Sequence, residues 1–205
     1  LNHQQVNRNG FQGQENEHAI EDGTESEVFR LQKLAGFMLF VSQGVCMIHA
    51  GQEWARSKVL EPATIHQDAV YDHDSYNKDS NVNYLDFDKK DSSLGVFEYY
   101  KRLIELRKSE KALRNSSPEA IVFKVYQDPL HITFSIDGES TDSLYTYFIS
   151  INCNRNQSHE IILPSGKWEL LLTDSIVPKG KYIEHNYLVP YSAGVLLRQK
   201  RSLEH

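Results

Sequence analysis

Residues 24–51 read TESEVFRLQKLAGFMLFVSQGVCMIHAG. Thr24 and Glu27 have the spacing of a capping box, in which two side chains bind free backbone N–H groups at the start of a helix. Apolar residues then recur at intervals of three and four, which is the period of an amphipathic helix. The pattern predicts a helix over residues 26–43, ended by a glycine and followed at once by the apolar run Val45–Ile48.

The run Val45–Ile48 is apolar at every position, without the alternation of a half-exposed strand. Such a run is typical of a parallel strand that is buried on both faces. Parallel strands are joined by a crossover, usually a helix, so a helix that leads into this strand is half of an α/β unit. Residues 24–118 are therefore predicted to be part of a larger parallel sheet or barrel. A second amphipathic helix is predicted over residues 93–109, with three polar residues outside its apolar face: Glu105, Arg107 and Lys108.

Between these helices the chain is long, polar and irregular from Gln52 to Asp91. Long irregular segments in compact domains are usually functional loops or disorder. The aromatic residues of this segment favour a functional loop, and they are Trp54, Tyr71, Tyr76, Tyr84 and Phe87.

Beyond Pro118 the apolar period changes to two, which is the period of half-buried β-strands. Turn signals containing glycine or proline separate about seven such segments. The pattern predicts an antiparallel β-sandwich over residues 119–202. Residues 1–23 are polar and are expected to form a loop or to be disordered. Residues 203–205 are interpreted as the remnant of an expression tag.

Composition narrows the classes of partner. The 205 residues carry a net charge of -6 with a pI near 5.8, and no cluster of Lys and Arg alternates with aromatic residues, so no nucleic acid is expected. The longest strongly apolar stretch, residues 34–46, is too short to span about 30 Å of hydrocarbon, so no membrane is expected. The 2 cysteines cannot form a disulfide framework, and they leave the cellular compartment open.

Three motifs occur in order along the chain: LFVSQGV at residues 39–45 with IHAGQEWARSK at 48–58, HDSYNKDSNVNYLDFD at 73–88, and EYYKRLIELRK at 98–108. In that order they resemble the seventh helix with the eighth strand, the following loop, and the last barrel helix of the α-amylase superfamily of glycoside hydrolases (family 13). Pullulanases and other debranching members are the most similar. A looser match to the C-terminal β-domain of these enzymes is LPSGKWE at residues 163–169.

The resemblance implies an α/β remnant, the last part of a (β/α)8 barrel over residues 24–118, followed by an all-β antiparallel sandwich. A complete barrel takes about 250 residues, so most of it would lie outside this chain. Members of the superfamily use a retaining mechanism with an Asp nucleophile, a Glu general acid and a second Asp, and the resemblance places all three upstream of residue 1. No catalytic residue is therefore assigned, and the chain by itself is expected to be inactive.

The resemblance also implies that the segment after Gly51 lines or braces one side of an α-glucan cleft. Gln52, Glu53 and Arg56 are expected to fix loops beneath the site through hydrogen bonds and ion pairs. Candidate sugar-binding side chains combine aromatic faces, which suit glucose rings, with amides and carboxylates that bind hydroxyl groups: Trp54, Asp74, Tyr76, Asn77, Asn81 and Asn83. For the aromatic residues, packing within the loop is the other interpretation.

The acidic and amide residues between Asp74 and Asn83 have two further interpretations. Clustered carboxylate and amide oxygens suit Ca²⁺, but the glycine and distal Glu of the twelve-residue calcium loop are missing, and Asx turns account for the spacing equally well. His66 and His73 lack the ligand spacing of a zinc site. The sequence therefore assigns no metal site and no cofactor. His73 and Asp74 are not assigned to catalysis, because the His-Asp pair of the family ends strand seven and this pair follows the strand-eight segment.

The expected partners are an α-glucan oligosaccharide, in the full-length parent, and the missing N-terminal barrel of the same chain. Without that barrel both edges of the predicted strand Val45–Ile48 are open, so self-association is also expected. The α-1,6 and α-1,4 glucosidic bonds of starch, pullulan and glycogen are both candidate substrates of the parent. The alternative function is that of a non-catalytic carbohydrate-binding or scaffolding β-sandwich module.

Overall fold

The computed structural model describes residues 27–61, 70–91, 93, 95–124 and 128–201. The α-helices in this part of the chain are α1 (Glu27–Val41), α2 (Val96–Ser109) and α3 (Ala112–Asn115). Short 3-10 segments occur at Gln52–Trp54, Asn81–Asn83, Phe87–Lys90, Pro118–Ala120 and Gly138–Thr141. None of these helices combines the length and apolar character needed to cross a bilayer. The predicted loop over residues 1–23, the capping box at Thr24 and the tag remnant lie outside the described residues.

The described residues are mostly β-sheet with few helices. Their strands are β1 (Val59–Glu61), β2 (Val70–Tyr71), β3 (Ile121–Lys124), β4 (His131–Asp137), β5 (Tyr145–Asn152), β6 (His159–Ile162), β7 (Trp168–Leu172), β8 (Tyr182–Ile183), β9 (Asn186–Val189) and β10 (Ala193–Lys200). Every pairing among them is antiparallel. The antiparallel strands predicted from the period of two are therefore present.

The chain divides into two compact units. The first unit comprises the described residues of 1–32 and 48–97, and it contains the β1–β2 pair, in which Val59 lies opposite Tyr71. The second unit comprises those of 33–47 and 98–205, with all other strands. The second unit thus takes in residues of α1 and α2 as well as the sheet.

The second unit is built on a six-stranded antiparallel sheet in the order β3-β4-β5-β10-β7-β8. Its long central strands β5 and β10 pair from Ala193 opposite Asn152 to Lys200 opposite Tyr145. One face of this sheet and the two-stranded sheet β6–β9 enclose an apolar core, made of Phe148, Ile161, Leu163, Trp168, Leu170, Val177, Val189, Val195 and Leu197. Trp168 lies in this core and is almost fully buried.

The opposite face of the six-stranded sheet is covered within the second unit by helical residues. The Phe37 ring of α1 lies on Gly194 of β10, where an added Cβ would come within 2.2 Å of the ring. Only glycine allows this close approach. The Tyr99 hydroxyl of α2 donates to the backbone oxygen of Thr173, at 2.7 Å, which satisfies the one polar atom of this buried ring.

Residues 45–49 form neither a helix nor a strand. Val45 is 100% exposed and Met47 is 86% exposed. The predicted strand Val45–Ile48, buried on both faces, is therefore wrong for this structure. A strand persists only when its N–H and C=O groups pair with neighbouring strands, and no strand in the described part of the chain pairs with this run.

Arg107 corrects a second expectation, because the helical pattern places it outside the apolar face of α2 and the structure buries it. Its guanidinium donates to four backbone oxygens at or near helix ends: Phe40 (2.6 Å), Ser42 (2.8 Å), Gly44 (2.5 Å) and Leu113 (2.8 Å). The last carbonyls of a helix have no donor within the helix. Arg107 supplies those donors and fixes the turn that follows α1.

Candidate functional site

The residues predicted to contact or brace a glucan all lie in the first unit. The chain enters this region through Gly51, whose φ of 91° favours glycine. The Oε1 atom of Gln52 accepts from the backbone N–H of His49 at 3.2 Å, and Oε2 of Glu53 accepts from that of Gly51 at 3.0 Å. Both side chains therefore hold the backbone that leads into the 3-10 segment Gln52–Trp54.

Arg56 connects this turn to a later part of the loop. One guanidinium nitrogen donates to the backbone oxygen of Ala50 at 3.2 Å, and the other donates to that of Val82 at 3.3 Å. The aliphatic part of Arg56 also packs on Gly51, where an added Cβ would come within 2.7 Å of Cδ. Arg56 thus joins two loop segments that lie 26 positions apart in the sequence.

Trp54 is 7% exposed. Its ring lies 5.2 Å from that of Phe87, measured between centroids, with an interplanar angle of 45°. Phe87 itself is exposed. This geometry favours packing of Trp54 within the loop, because its indole has little surface left for a sugar.

Tyr76 and Asn77 occupy the corner of the turn Ser75–Lys78. The backbone N–H of Lys78 donates to the backbone oxygen of Ser75 at 3.1 Å, which closes this turn. Tyr76 is 85% exposed, and Asn77 and Asp74 are also exposed. The turn therefore presents an aromatic face, an amide and a carboxylate at one place on the surface, a set that can stack on a sugar and bind its hydroxyl groups.

Asp72 lies directly beneath this turn, with its side chain 4% exposed. Its Oδ2 accepts from Nζ of Lys78 at 2.7 Å, and its Oδ1 accepts from the backbone N–H of Asp74 at 3.0 Å. The hydrogen bond from Lys78, followed by that from the Asp74 backbone, lowers the pKa of Asp72. Sequence reasoning did not select Asp72, although its spacing to Asp74 is that of an Asx turn.

Asn83 reaches back to the same turn. Its Nδ2 donates to the backbone oxygens of Ser75 and Lys78, each at 2.6 Å. Asn81 lies at the surface, and its backbone oxygen accepts from the N–H of Tyr84 at 3.1 Å. Of these two candidate sugar-binding amides, the structure brings Asn83 into the turn as a brace and leaves Asn81 at the surface.

A second lysine completes the charges around Asp72. Lys58 donates to the hydroxyl of the buried Ser75, and its backbone oxygen accepts from the N–H of Asp72 at 2.9 Å. Lys58 and Lys78 therefore both lie close to the Asp72 carboxylate, and each favours its ionised form. Among the residues described, no group of three or more His, Cys, Asp and Glu side chains has the geometry to hold a metal ion.

No protein-family model matches the chain. A curated pullulanase of Bacillus subtilis (strain 168) is 32% identical over 96 residues, which are 47% of this chain and 12% of that protein. The matched part of the chain thus spans about an eighth of the length of this relative.

Solved pullulanases share the fold. The pullulanase from Bacillus acidopullulyticus matches 93% of this chain with a TM-score of 0.68 and 23% identity, over 23% of its own length. A pullulanase from Anoxybacillus sp. LM18-11, solved in complex with maltotetraose, matches 90% of this chain with a TM-score of 0.66 and 21% identity, over 26% of its own length. The chain matches C-terminal regions of such enzymes. The resemblance to pullulanases found in the three motifs is confirmed.

Proposed function

We propose that the chain is the C-terminal portion of a pullulanase-like hydrolase that acts on α-glucans such as pullulan, starch or glycogen. Two observations support this proposal. The three motifs occur in the order expected of the family, and the fold matches a solved pullulanase over 93% of this chain but only 23% of that structure. In this proposal the remainder of the parent carries the nucleophile and the general acid.

Hydrolysis with retention needs two carboxyl groups about 5–5.5 Å apart, one ionised and one protonated. The motif match assigns neither group to a residue of this chain. We therefore expect the purified chain to release no reducing ends from pullulan or soluble starch. Turnover above a buffer blank would contradict this part of the proposal.

The observation that carries the sugar-binding part is the outward position of Tyr76 on a closed turn. In this proposal Tyr76 stacks on a glucose ring, and Asn77 and Asp74 bind hydroxyl groups beside it. Trp54 and Asn83 hold the loop from within, because one is packed on Phe87 and the other uses its amide N–H groups on the backbone. Gln52, Glu53 and Arg56 brace the entry to the loop.

Titration with maltotetraose tests this contact. We expect millimolar sugar to shift the backbone NMR signals of Tyr76 and Asn77 in the native chain. In Tyr76→Ala we expect the sugar-induced shift of Asn77 to be abolished. The matched control is Tyr182→Ala, which removes an exposed tyrosine from the second unit. Equal responses in both variants would contradict a sugar contact at Tyr76. Affinity is expected to be weak, because part of a cleft desolvates little of a glycan.

The exposed run at Val45 and Met47 supports the proposal that this segment contacts the rest of the parent. In the isolated chain the same apolar side chains favour association between copies. Light scattering should show a mass that rises with concentration and falls back to that of a monomer in the double variant Val45→Lys, Met47→Lys. A monomer at every concentration would contradict self-association.

A further inference from the structure

The turn Ser75–Lys78 is bound by the buried side chain of Asp72 and by the partly buried side chain of Asn83. We propose that Asp72 and Asn83 are positioning residues, which hold this turn in a single conformation and thereby present Tyr76 and Asn77 to a glucan. The sugar part of this inference rests on the proposed function, whereas the holding of the turn can be measured without any sugar.

Asp72 acts on both ends of the turn. Its Oδ2 binds the side chain of Lys78, the last residue of the turn, and its Oδ1 binds the backbone N–H of Asp74, the residue that precedes it. Because its side chain is 4% exposed, Asp72 has almost no surface with which to contact a ligand. Its influence on a ligand must therefore pass through the turn.

Asn83 closes the turn from the other side. A single Nδ2 binds the two backbone oxygens that begin and end the turn, those of Ser75 and Lys78. Asn83 thus adds to the backbone hydrogen bond from Lys78 to Ser75, which closes the same turn. An amide is suited to this role, since it provides two N–H groups that point in different directions.

Lys58 adds a third attachment through the Ser75 hydroxyl. Every attachment therefore involves Ser75, Asp74 or Lys78, whereas Tyr76 between them is 85% exposed. A binding surface whose backbone is already ordered loses less conformational freedom when a ligand binds. The arrangement separates the residues that set the conformation from those that would touch the sugar.

Amide hydrogen exchange of Lys78 measures the holding of the turn directly, because this N–H donates to Ser75 within it. In Asp72→Asn and in Asn83→Asp, both close in size to the native side chain, we expect this exchange to become about tenfold faster as the turn opens more often. The matched control is Asp86→Asn. Asp86 accepts from the backbone N–H of Asp88 at 3.1 Å in the same Asx geometry as Asp72, but it is exposed.

A second pair of variants separates positioning from loss of the fold. Lys78→Met removes the cation at a half-exposed position, and Lys78→Arg keeps it. We expect faster exchange at residue 78 in the Met variant and near-native exchange in the Arg variant. Unchanged exchange of the Ala55 amide, which donates to the backbone oxygen of Gln52 in the same unit, serves as the measure of folding. The proposal would be overturned if the amide of residue 78 exchanged no faster in Asp72→Asn, Asn83→Asp and Lys78→Met than it does in Asp86→Asn.

Maltotetraose then tests the consequence for the ligand. We expect the sugar-induced NMR shifts of Asn77 to need about threefold more sugar in Asp72→Asn than in the native chain. Suppose that Tyr76→Ala abolishes the NMR response to the sugar, but that Asp72→Asn, with its turn opened, binds the sugar as well as the native chain does. The positioning role of Asp72 is then overturned. If the native chain shows no response, the proposed function fails, and the exchange of Lys78 alone decides whether these residues hold the turn.

Discussion

In the first unit the turn Ser75–Lys78 is held by polar side chains, whereas in the second unit Trp168 and its neighbours are held by apolar packing. Polar attachments depend on the direction of each donor and on charge, so they respond to pH and salt. Apolar packing depends on the area removed from water and on the filling of space. Small isosteric changes should therefore disturb the loop, whereas the sandwich should be disturbed by large changes of side-chain volume.

Replacement of Trp168 is expected to have the largest effect on stability. Its side chain is 1% exposed in the core of the second unit, and its Nε1 donates to the backbone oxygen of Pro164 at 2.9 Å. Trp168→Ala should lower the free energy of unfolding by about 3–5 kcal/mol, because it leaves a cavity in place of the indole. Urea unfolding of the second unit checks this value. A loss as small as that of the control Tyr182→Ala, at an exposed strand position, would contradict it.

A polar network in the second unit should also be sensitive to the loss of a single charged side chain, as the loop is, although the network is less exposed to solvent. Arg198 of β10 binds Glu110 and Glu169, each at 2.9 Å, and Glu110 also accepts from the Tyr147 hydroxyl at 2.6 Å. Arg198→Met should cost about 1.5–3 kcal/mol of stability, because both carboxylates lose a charged partner. The control is Arg201→Met, whose partners Asp137 and Glu139 are exposed. Equal losses of stability in the two variants would show that burial of the network does not increase its contribution to the free energy of unfolding.

His131 makes the sandwich sensitive to acid. It is buried, its Nε2 lies 2.6 Å from the Ser150 hydroxyl, and its ring centroid lies 3.7 Å from that of His159. Burial, and then the charge of His159, lower the pKa of His131 from 6.5 to about 4, against an opposite effect of Asp128. In the pH range between about 4 and 6.5 the unfolded chain binds this proton and the folded chain does not.

Stability should therefore fall by about 1–3 kcal/mol as the pH drops from 6.5 to 4. Urea unfolding at several pH values measures this slope. His131→Gln should remove most of it, whereas His49→Gln, at an exposed position of the first unit, should leave it unchanged. An equal slope in all three proteins would exclude His131 as the source.

The smallest effect is expected at Asp72, because Lys78 is half exposed and salt screens its charge. The pKa of Asp72 lies below its ordinary value of 3.8, chiefly through the hydrogen bond from Lys78. Its contribution is therefore complete above pH 3.8 and is lost as the pH falls through the lowered pKa. Exchange of the Lys78 amide should rise modestly with 1 M salt (about a 3 Å screening length). Exchange that is insensitive to salt would show that the ion pair does not hold the turn.

Several features of the fold were predictable because their causes are local. Burial of one face gives strands such as β4 and β5 an apolar period of two, and it gives helices α1 and α2 an apolar period of three to four residues. These periods can be found in the sequence without knowing which element packs against that face. The order of the three motifs predicted the resemblance to pullulanases that the comparisons confirm. For the candidate site, the sequence selected Tyr76, which the structure places at the surface; its contact with a sugar stays a prediction.

Other features depended on partners far away in the sequence. Arg107 is buried because it meets Phe40, 67 positions away, and no periodicity of α2 contains that contact. Asn83 was selected as a sugar ligand, but its amide is used by Ser75 and Lys78. Asp72 was not selected, since its spacing to Asp74 indicates an Asx turn but does not reveal that the side chain is buried or that it binds Lys78.

Sequence patterns alone thus predicted the β-rich character of residues 119–202, the two long helices and the similarity to pullulanases. Which polar side chains of the loop bind the turn and which face solvent follows only from the tertiary contacts. The same contacts leave Val45 and Met47 exposed and, among the described residues, give the segment Val45–Ile48 no strand partner. This difference arises because burial of one face imposes a local period on the sequence, whereas a hydrogen bond or a strand pairing requires a second group whose position is set by the folded chain.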